Sequence, residues 1–205
     1  MFVRRTRVEG SPDRLDQASE IYQQQLLPAM KQAPGFRGTV LLANRATGAA
    51  QSVTLWESEA AERSSRPAGE RLRAQAVQSS GNRVLDVESY EEVLQELGGA
   101  SQPGTGSFMR FNSLQAAPEK LDAGIRFMRE QVVPLLKQQA GFQAVLMGVN
   151  RNNGRTYVTS AWESAAAREA SDAAIRDQRR ETGELMGASQ VSVDEYEIEY
   201  VEMVQ

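Results

Sequence analysis

The chain has 205 residues, 40% of them apolar, a net charge of −4, and neither cysteine nor histidine. That length suits one large domain or two small ones, and the apolar share suffices for a packed core. The missing residues exclude disulfides, thiolate and imidazole metal sites, His-based triads and a proximal haem histidine, and the acidic balance argues against a general nucleic-acid role.

Proton transfer must therefore use Asp, Glu, Lys, Tyr, water or the substrate itself. No apolar run approaches the length of a membrane span. The charges at Arg4 and Arg5 are followed by no apolar stretch, so no secretory signal is expected. The expected compartment is the cytoplasm, with no membrane and no nucleic-acid partner.

In chain order, residues 2–8 read as a first strand. Ser11-Pro12-Asp13 then starts a helix, with Pro at a position whose missing N–H costs nothing and an acid that complements the helix dipole. Leu15, Tyr22, Leu26 and Met30 recur at helical spacing, and Pro28 is expected to kink this helix or begin a new turn. Strands follow at 36–45 and 49–57, with Gly48 supplying the positive φ of a tight hairpin. A polar, Ala-rich helix over 58–79 comes next, which Pro67 is expected to break, and then a strand over 83–93. Residues 98–106 form a linker rich in Gly, Pro and Ser.

The same order then returns. Shifting the sequence by 106 aligns residues 1–99 with 107–205 without a gap, and roughly 27 of the 99 pairs are identical. The second copy reads as strand 108–114, a helix from Ala117-Pro118-Glu119, strands 142–151 and 155–163, a helix over 164–185 and a strand over 189–203. Its first helix carries Leu121, Ile125, Met128, Val132 and Leu136, with Pro134 late in it. Gly154 takes the place of Gly48. A repeat of this size is a domain rather than a solenoid unit, giving units at 1–97 and 107–205.

The second strands, Val40-Leu41-Leu42-Ala43 and Val145-Leu146-Met147, are apolar on both faces. A sheet with helices on one side and water on the other alternates instead. The expected arrangement is therefore two ferredoxin-like βαββαβ units of α+β class, sheets packed face to face. The long last strand, 191–204, is expected to cross to the other sheet.

This arrangement resembles the dimeric α+β barrel superfamily, and in particular the antibiotic-biosynthesis-monooxygenase domain. The resemblance rests on Pro34-Gly35-Phe36, Gly141-Phe142, the Asn44-Arg45 and Asn150-Arg151 hairpins, and Trp56-Glu57-Ser58 with Trp162-Glu163-Ser164. It implies an intramolecular version of a family dimer, with a ligand pocket between helices and sheet in each unit. It also implies cofactor-independent oxidation of a small aromatic or phenolic molecule. Trp56 and Trp162 are similar to a pocket-lining Trp of the oxygenases, and Asn112 to a first-strand Asn, where the first copy has Thr6. Haem-degrading members hold iron through a His that this chain lacks, and no cofactor or metal is expected.

Each candidate has a plainer reading. Trp56 and Trp162 share a strand face with the hydroxyls of Thr54 and Ser160; they are pocket walls or core aromatics. Arg4 and Arg110 hold a substrate anion or pair with Glu57 or Glu163. Tyr22, which has Met128 as its counterpart, points into the N-terminal pocket or fills the core. Asn44 and Asn150 suit the hairpin turns, Tyr90 and Tyr196 suit strands, and the charged tract 176–181 suits a solvated helix face. No catalytic residue is assigned. The alternative to an enzyme is a non-catalytic ligand-binding or structural protein, and exposed outer strands leave a homo-oligomer of fused chains open.

Overall fold

A computed structural model describes residues 1–98 and 101–204. The first repeat runs β1 (Phe2–Glu9), α1 (residues 15–31), β2 (Phe36–Asn44), β3 (Ala49–Trp56), α2 (Glu59–Ser80) and β4 (Arg83–Leu97). The second runs β5 (Phe108–Gln115), α3 (residues 121–136), β6 (Phe142–Val149), β7 (Arg155–Trp162), α4 (Ala165–Ala174), α5 (Arg176–Leu185) and β8 (Ser189–Met203). Of the expected linker at 98–106, Gly99 and Ala100 lie outside the described residues.

Packing divides the chain into two compact units: residues 1–89 with the chain from Tyr196 onward, and residues 90–195. In unit one, β1 and β2 flank β3 antiparallel, and the far edge of β2 pairs with β8 from Glu197 to Met203. In unit two, β5 and β6 flank β7, and the far edge of β6 pairs with β4 from Glu91 to Leu97. The hydrogen-bonded strand order is β1-β3-β2-β8-β5-β7-β6-β4, closed as a barrel. This corrects the expectation of sheets packed face to face. Fifteen-residue last strands are long enough to satisfy open edges through backbone hydrogen bonds.

The repeated motif is explained by local chemistry. Gly48 and Gly154 take φ of 78° and 74° in the hairpins, and Asn44 Oδ1 accepts from the amides of Ala46 and Thr47 at 3.1 Å. Ser58 and Ser164 cap the helices that follow, each accepting from the amide three residues on.

Pro28 and Pro134 act on the turns before them. Each removes a donor and crowds the carbonyl four residues back. The helix widens there into a π turn, Tyr22–Leu26 and Met128–Val132, with the Leu27 and Val133 amides reaching back five residues to Tyr22 and Met128. The expectation at Pro67 is corrected: α2 runs through it for 22 residues. The expected single helix over 164–185 is corrected as well. It breaks at Ile175, whose φ of −118° turns the chain while its side chain enters the core.

Unit two has the larger apolar core. Leu121, Met128, Val132 and Leu136 of α3 meet Phe142, Trp162 and Met186. Unit one has a thinner one around Leu27, Met30, Phe36 and Trp56, as the weaker periodicity of its first helix anticipates. No helix among the described residues is long and apolar enough to cross a membrane.

Candidate functional site

The helix–sheet space of unit two holds a cavity of about 400 Å³, walled by Leu114, Met128, Val132, Val145 and Ile175. That volume is in the range of small-molecule sites, which are mostly apolar with a few placed polar groups. Three polar features stand out here. Asn112 of β5 donates through Nδ2 to the Val158 carbonyl at 3.4 Å, which leaves Oδ1 buried and without a partner. Ser160 of β7 lines the cavity and accepts at Oγ from the Trp162 indole at 2.9 Å. Because that lone pair is taken, the hydroxyl proton turns away from the indole. Arg179 and Arg180 of α5 complete the wall; Arg179 is held by Asp172 at 3.0 Å. Burial pushes the Arg179 guanidinium below the usual arginine range, with Arg176 adding to it.

Trp162 itself is fully buried and packs edge-on against Phe142, ring centres 5.4 Å apart. It stands behind Ser160 and is not among the residues that line the cavity. Trp56 repeats the arrangement in unit one, fully buried, donating to Thr54 Oγ1 at 3.0 Å and packing on Phe36. The guanidinium of Arg4 lies 5.4 Å from the centre of its ring.

Neither first-strand arginine is among the lining residues of the helix–sheet cavity of its unit. Arg4 donates to Glu62 Oε1 at 2.8 Å and Ser65 Oγ at 2.7 Å. Arg110 pairs with Asp172 and, at 3.0 Å, with Glu195. The expected partners are therefore replaced: Glu57 pairs with Arg37, and Glu163 accepts from Ser101. Both acids sit just past the strand end, whereas the helix above each arginine offers a partner, the buried Glu62 for Arg4 and the partly exposed Asp172 for Arg110.

Sequence reasoning missed these acids, although a signal existed. At the 106-residue shift, Glu62 faces Arg168, Arg66 faces Asp172 and Ser89 faces Glu195. The arginine of the first strand is kept while its acids change place around it. In unit one a single carboxylate, Glu62, serves Arg4, Arg66 and the Ser89 hydroxyl. Burial pushes Glu62 up, but hydrogen bonds from Arg66 and Ser89 and the charge of Arg4 outweigh it, so its carboxyl lies below the usual range.

Unit one has a smaller cavity, about 110 Å³, lined by Thr6, Tyr22, Gln51, Arg73 and apolar side chains. Tyr22 fills space that Met128 leaves open in unit two, and its hydroxyl bonds Thr39 Oγ1 at 2.7 Å. Of the six candidate site residues, Asn112 and Tyr22 thus line cavities, in different units. Trp56 and Arg4 are together beneath α2, Trp162 supports a lining residue, and Arg110 is tied into an ion-pair cluster. No group of three Asp or Glu side chains suited to holding a metal is present among the described residues.

No protein-family model matches the chain. Over 91 residues it is 36% identical to the uncharacterised protein Rv2557 of Mycobacterium tuberculosis, and over 118 residues 35% identical to the uncharacterised protein Rv2558. These stretches are 44% and 53% of this chain but 40% and 48% of the relatives, so the chain spans less than half the length of the curated relatives it matches. Among solved structures, an anthrone oxidase-like protein superimposes with a TM-score of 0.72 over 98% of this chain and 93% of that one, at 14% identity. A ferredoxin-fold protein of Listeria monocytogenes related to antibiotic biosynthesis monooxygenases gives 0.53 over 96% and 94%, also at 14%. At such identity the likeness is one of fold. The chain has the ferredoxin-like α+β fold of the antibiotic-biosynthesis-monooxygenase-related proteins.

Proposed function

We propose that unit two binds a small phenolic or polycyclic aromatic molecule and promotes its oxidation by O₂ without a cofactor. The observation that carries this reading is the unpartnered Asn112 Oδ1 in the wall of a 400 Å³ apolar cavity. A buried acceptor left open costs stability, and a ligand hydroxyl would satisfy it. The structural neighbour described as anthrone oxidase-like supports the same substrate class by analogy of fold.

An anthrone-type substrate suits the polar groups available. Its enol hydroxyl donates to Asn112 Oδ1, and its oxygen accepts from the Ser160 hydroxyl. As the anion forms, the Arg179 guanidinium stabilises the charge on that oxygen. The electron-rich anion reduces O₂ directly, so the protein binds, desolvates and orients it. In the overall reaction a ring CH₂ becomes C=O: one substrate and one O₂ give one quinone and one water. Four electrons leave the carbon, two hydrogens end in water, and no outside reductant enters.

The test is aerobic incubation with a dihydroanthracenone-type phenol, following oxygen uptake and quinone absorbance. A rate above the protein-free control, lost in Asn112→Leu, is the expected result. Uptake no faster than the control sinks the oxidation. Binding without uptake instead selects the non-catalytic ligand-binding reading.

A further inference from the structure

We infer that unit one carries a second ligand site, distinct in chemistry from that of unit two, which takes a small monocarboxylate with an apolar body.

The argument begins with Gln51 of β3. It is 1% exposed and lines the 110 Å³ cavity, yet neither its Oε1 nor its Nε2 has a hydrogen-bond partner. An amide buried with both ends open is costly, and such groups normally have a protein or ligand partner. Its counterpart in unit two is Tyr157, whose ring packs on Tyr90 and Phe111. The open amide belongs to unit one.

Arg73 of α2 supplies the charge. It lines the cavity and also an adjoining surface groove of about 380 Å³ that shares Val77, Asn82 and Val84 with it. Arg73 therefore stands where the cavity meets the surface. It makes no ion pair or hydrogen bond among the described residues. Its counterpart Arg179 is held by Asp172. In unit one the residue at the place of Asp172 is Arg66, which is turned to Glu62. The acid that pairs with Arg179 is replaced here by a base, and Glu70, which shares the groove, acts on Arg73 through its charge without an ion pair.

A second guanidinium points the same way. Arg4 Nη1 is buried and unpartnered. A Cβ on Gly69 would lie 3.1 Å from Arg4 Nη1 and 3.2 Å from Arg73 Nη1, so both donors converge on the side of α2 that Gly69 leaves bare. Ile175 fills that position in unit two. Burial and then the charge of Arg4 push the Arg73 guanidinium below the usual arginine range, and the charges of Glu70 and Glu62 offset this only in part. An anion bound by Arg73 relieves both effects.

The remaining groups narrow the ligand. A guanidinium fork matches a carboxylate in plane and spacing. Glu199 also lines the cavity, with Oε2 on Arg45 and Oε1 unpartnered. Its charge opposes a second anionic group, so a monoanion is selected over a dianion. The walls include Leu15, Leu26, Leu41 and Val77, and the volume suits a body no larger than about one six-membered ring.

The experiment is calorimetric titration of the full chain with benzoate, benzamide and phthalate. Benzoate is expected to bind with one site per chain, and benzamide and phthalate at least tenfold more weakly. Arg73→Gln is expected to weaken benzoate at least tenfold, and Arg179→Gln to leave it within twofold. Gln51→Met, which removes the open amide without changing bulk, is expected to weaken benzoate severalfold while raising the melting temperature. No benzoate binding, equal binding of benzamide, or full affinity in the folded Arg73→Gln protein overturns the inference. None of these readouts depends on oxygen consumption, so the site stands or falls apart from the oxidation proposed for unit two.

Discussion

Trp162 donates its indole N–H to Ser160 Oγ, 2.9 Å away and two residues earlier on the same face of β7. The link makes a core residue answerable for the orientation of a hydroxyl in the cavity wall. Trp162→Phe keeps most of the packing on Phe142 and releases Ser160. The expected loss of stability is about 1–2 kcal/mol, from the hydrogen bond and the smaller ring. Oxidation of a phenol should slow severalfold with little change in its binding. Trp56→Phe should cost similar stability and leave oxidation unchanged, because Thr54 belongs to unit one and is not among the residues lining its cavity. Urea unfolding and oxygen-uptake assays on the two variants make the comparison.

Asn112 makes the opposite kind of prediction. Its buried Oδ1 has no partner, so Asn112→Leu removes an unsatisfied acceptor and adds apolar contact with Leu114 and Val158 on the cavity wall. The melting temperature should hold or rise, by up to about 1 kcal/mol in stability. Binding of a phenol should fall at least tenfold. A variant that loses stability and keeps its affinity would show that Asn112 is structural.

Glu62 concentrates the electrostatics of unit one. It is fully buried and holds Arg4 and Arg66. Glu62→Gln leaves Arg4 buried without its counter-charge, and about 3–5 kcal/mol of stability should go. The pH dependence follows from the lowered carboxyl. In the folded state Glu62 releases its proton at lower pH than in the unfolded chain, near 4.5. Its contribution is therefore complete above that value and is lost as pH falls through the folded one. Acid unfolding followed by circular dichroism should show a shallower decline below pH 4.5 in the Gln variant than in the parent.

Much of the fold was legible because it rests on local rules. Gly48 needs positive φ, Ser58 caps a helix, and Leu121 to Leu136 keep a helical period; each can be read from its neighbours alone. The strand exchange was half visible, in the excess length of 189–203, but which edge it pairs with depends on contacts over a hundred residues apart. The site was less legible. Trp162 stood out by its chemistry, yet it lies one layer behind Ser160. Gln51 looks like an ordinary strand residue until burial strips it of partners. Arg73 reads as one of many exposed helix charges, and only its counterpart Arg179, which kept an acid, marks it as unusual.

Tyr22 gives a prediction at the other end of the pH scale. Burial pushes its hydroxyl up to about 12, against the hydrogen bond with Thr39 that pulls it down. The folded chain thus keeps the proton where the unfolded chain, with a value near 10, has begun to lose it. The contribution of a neutral Tyr22 is complete below pH 10 and disappears as pH rises toward 12. Tyr22→Phe removes the bond to Thr39, at a cost of about 1 kcal/mol at neutral pH. It also removes an ionisable group, so the variant should lose less stability than the parent between pH 10 and pH 12. Urea midpoints across that range measure both effects, and parallel curves for the two proteins would mean that the Tyr22 hydroxyl titrates as an exposed phenol.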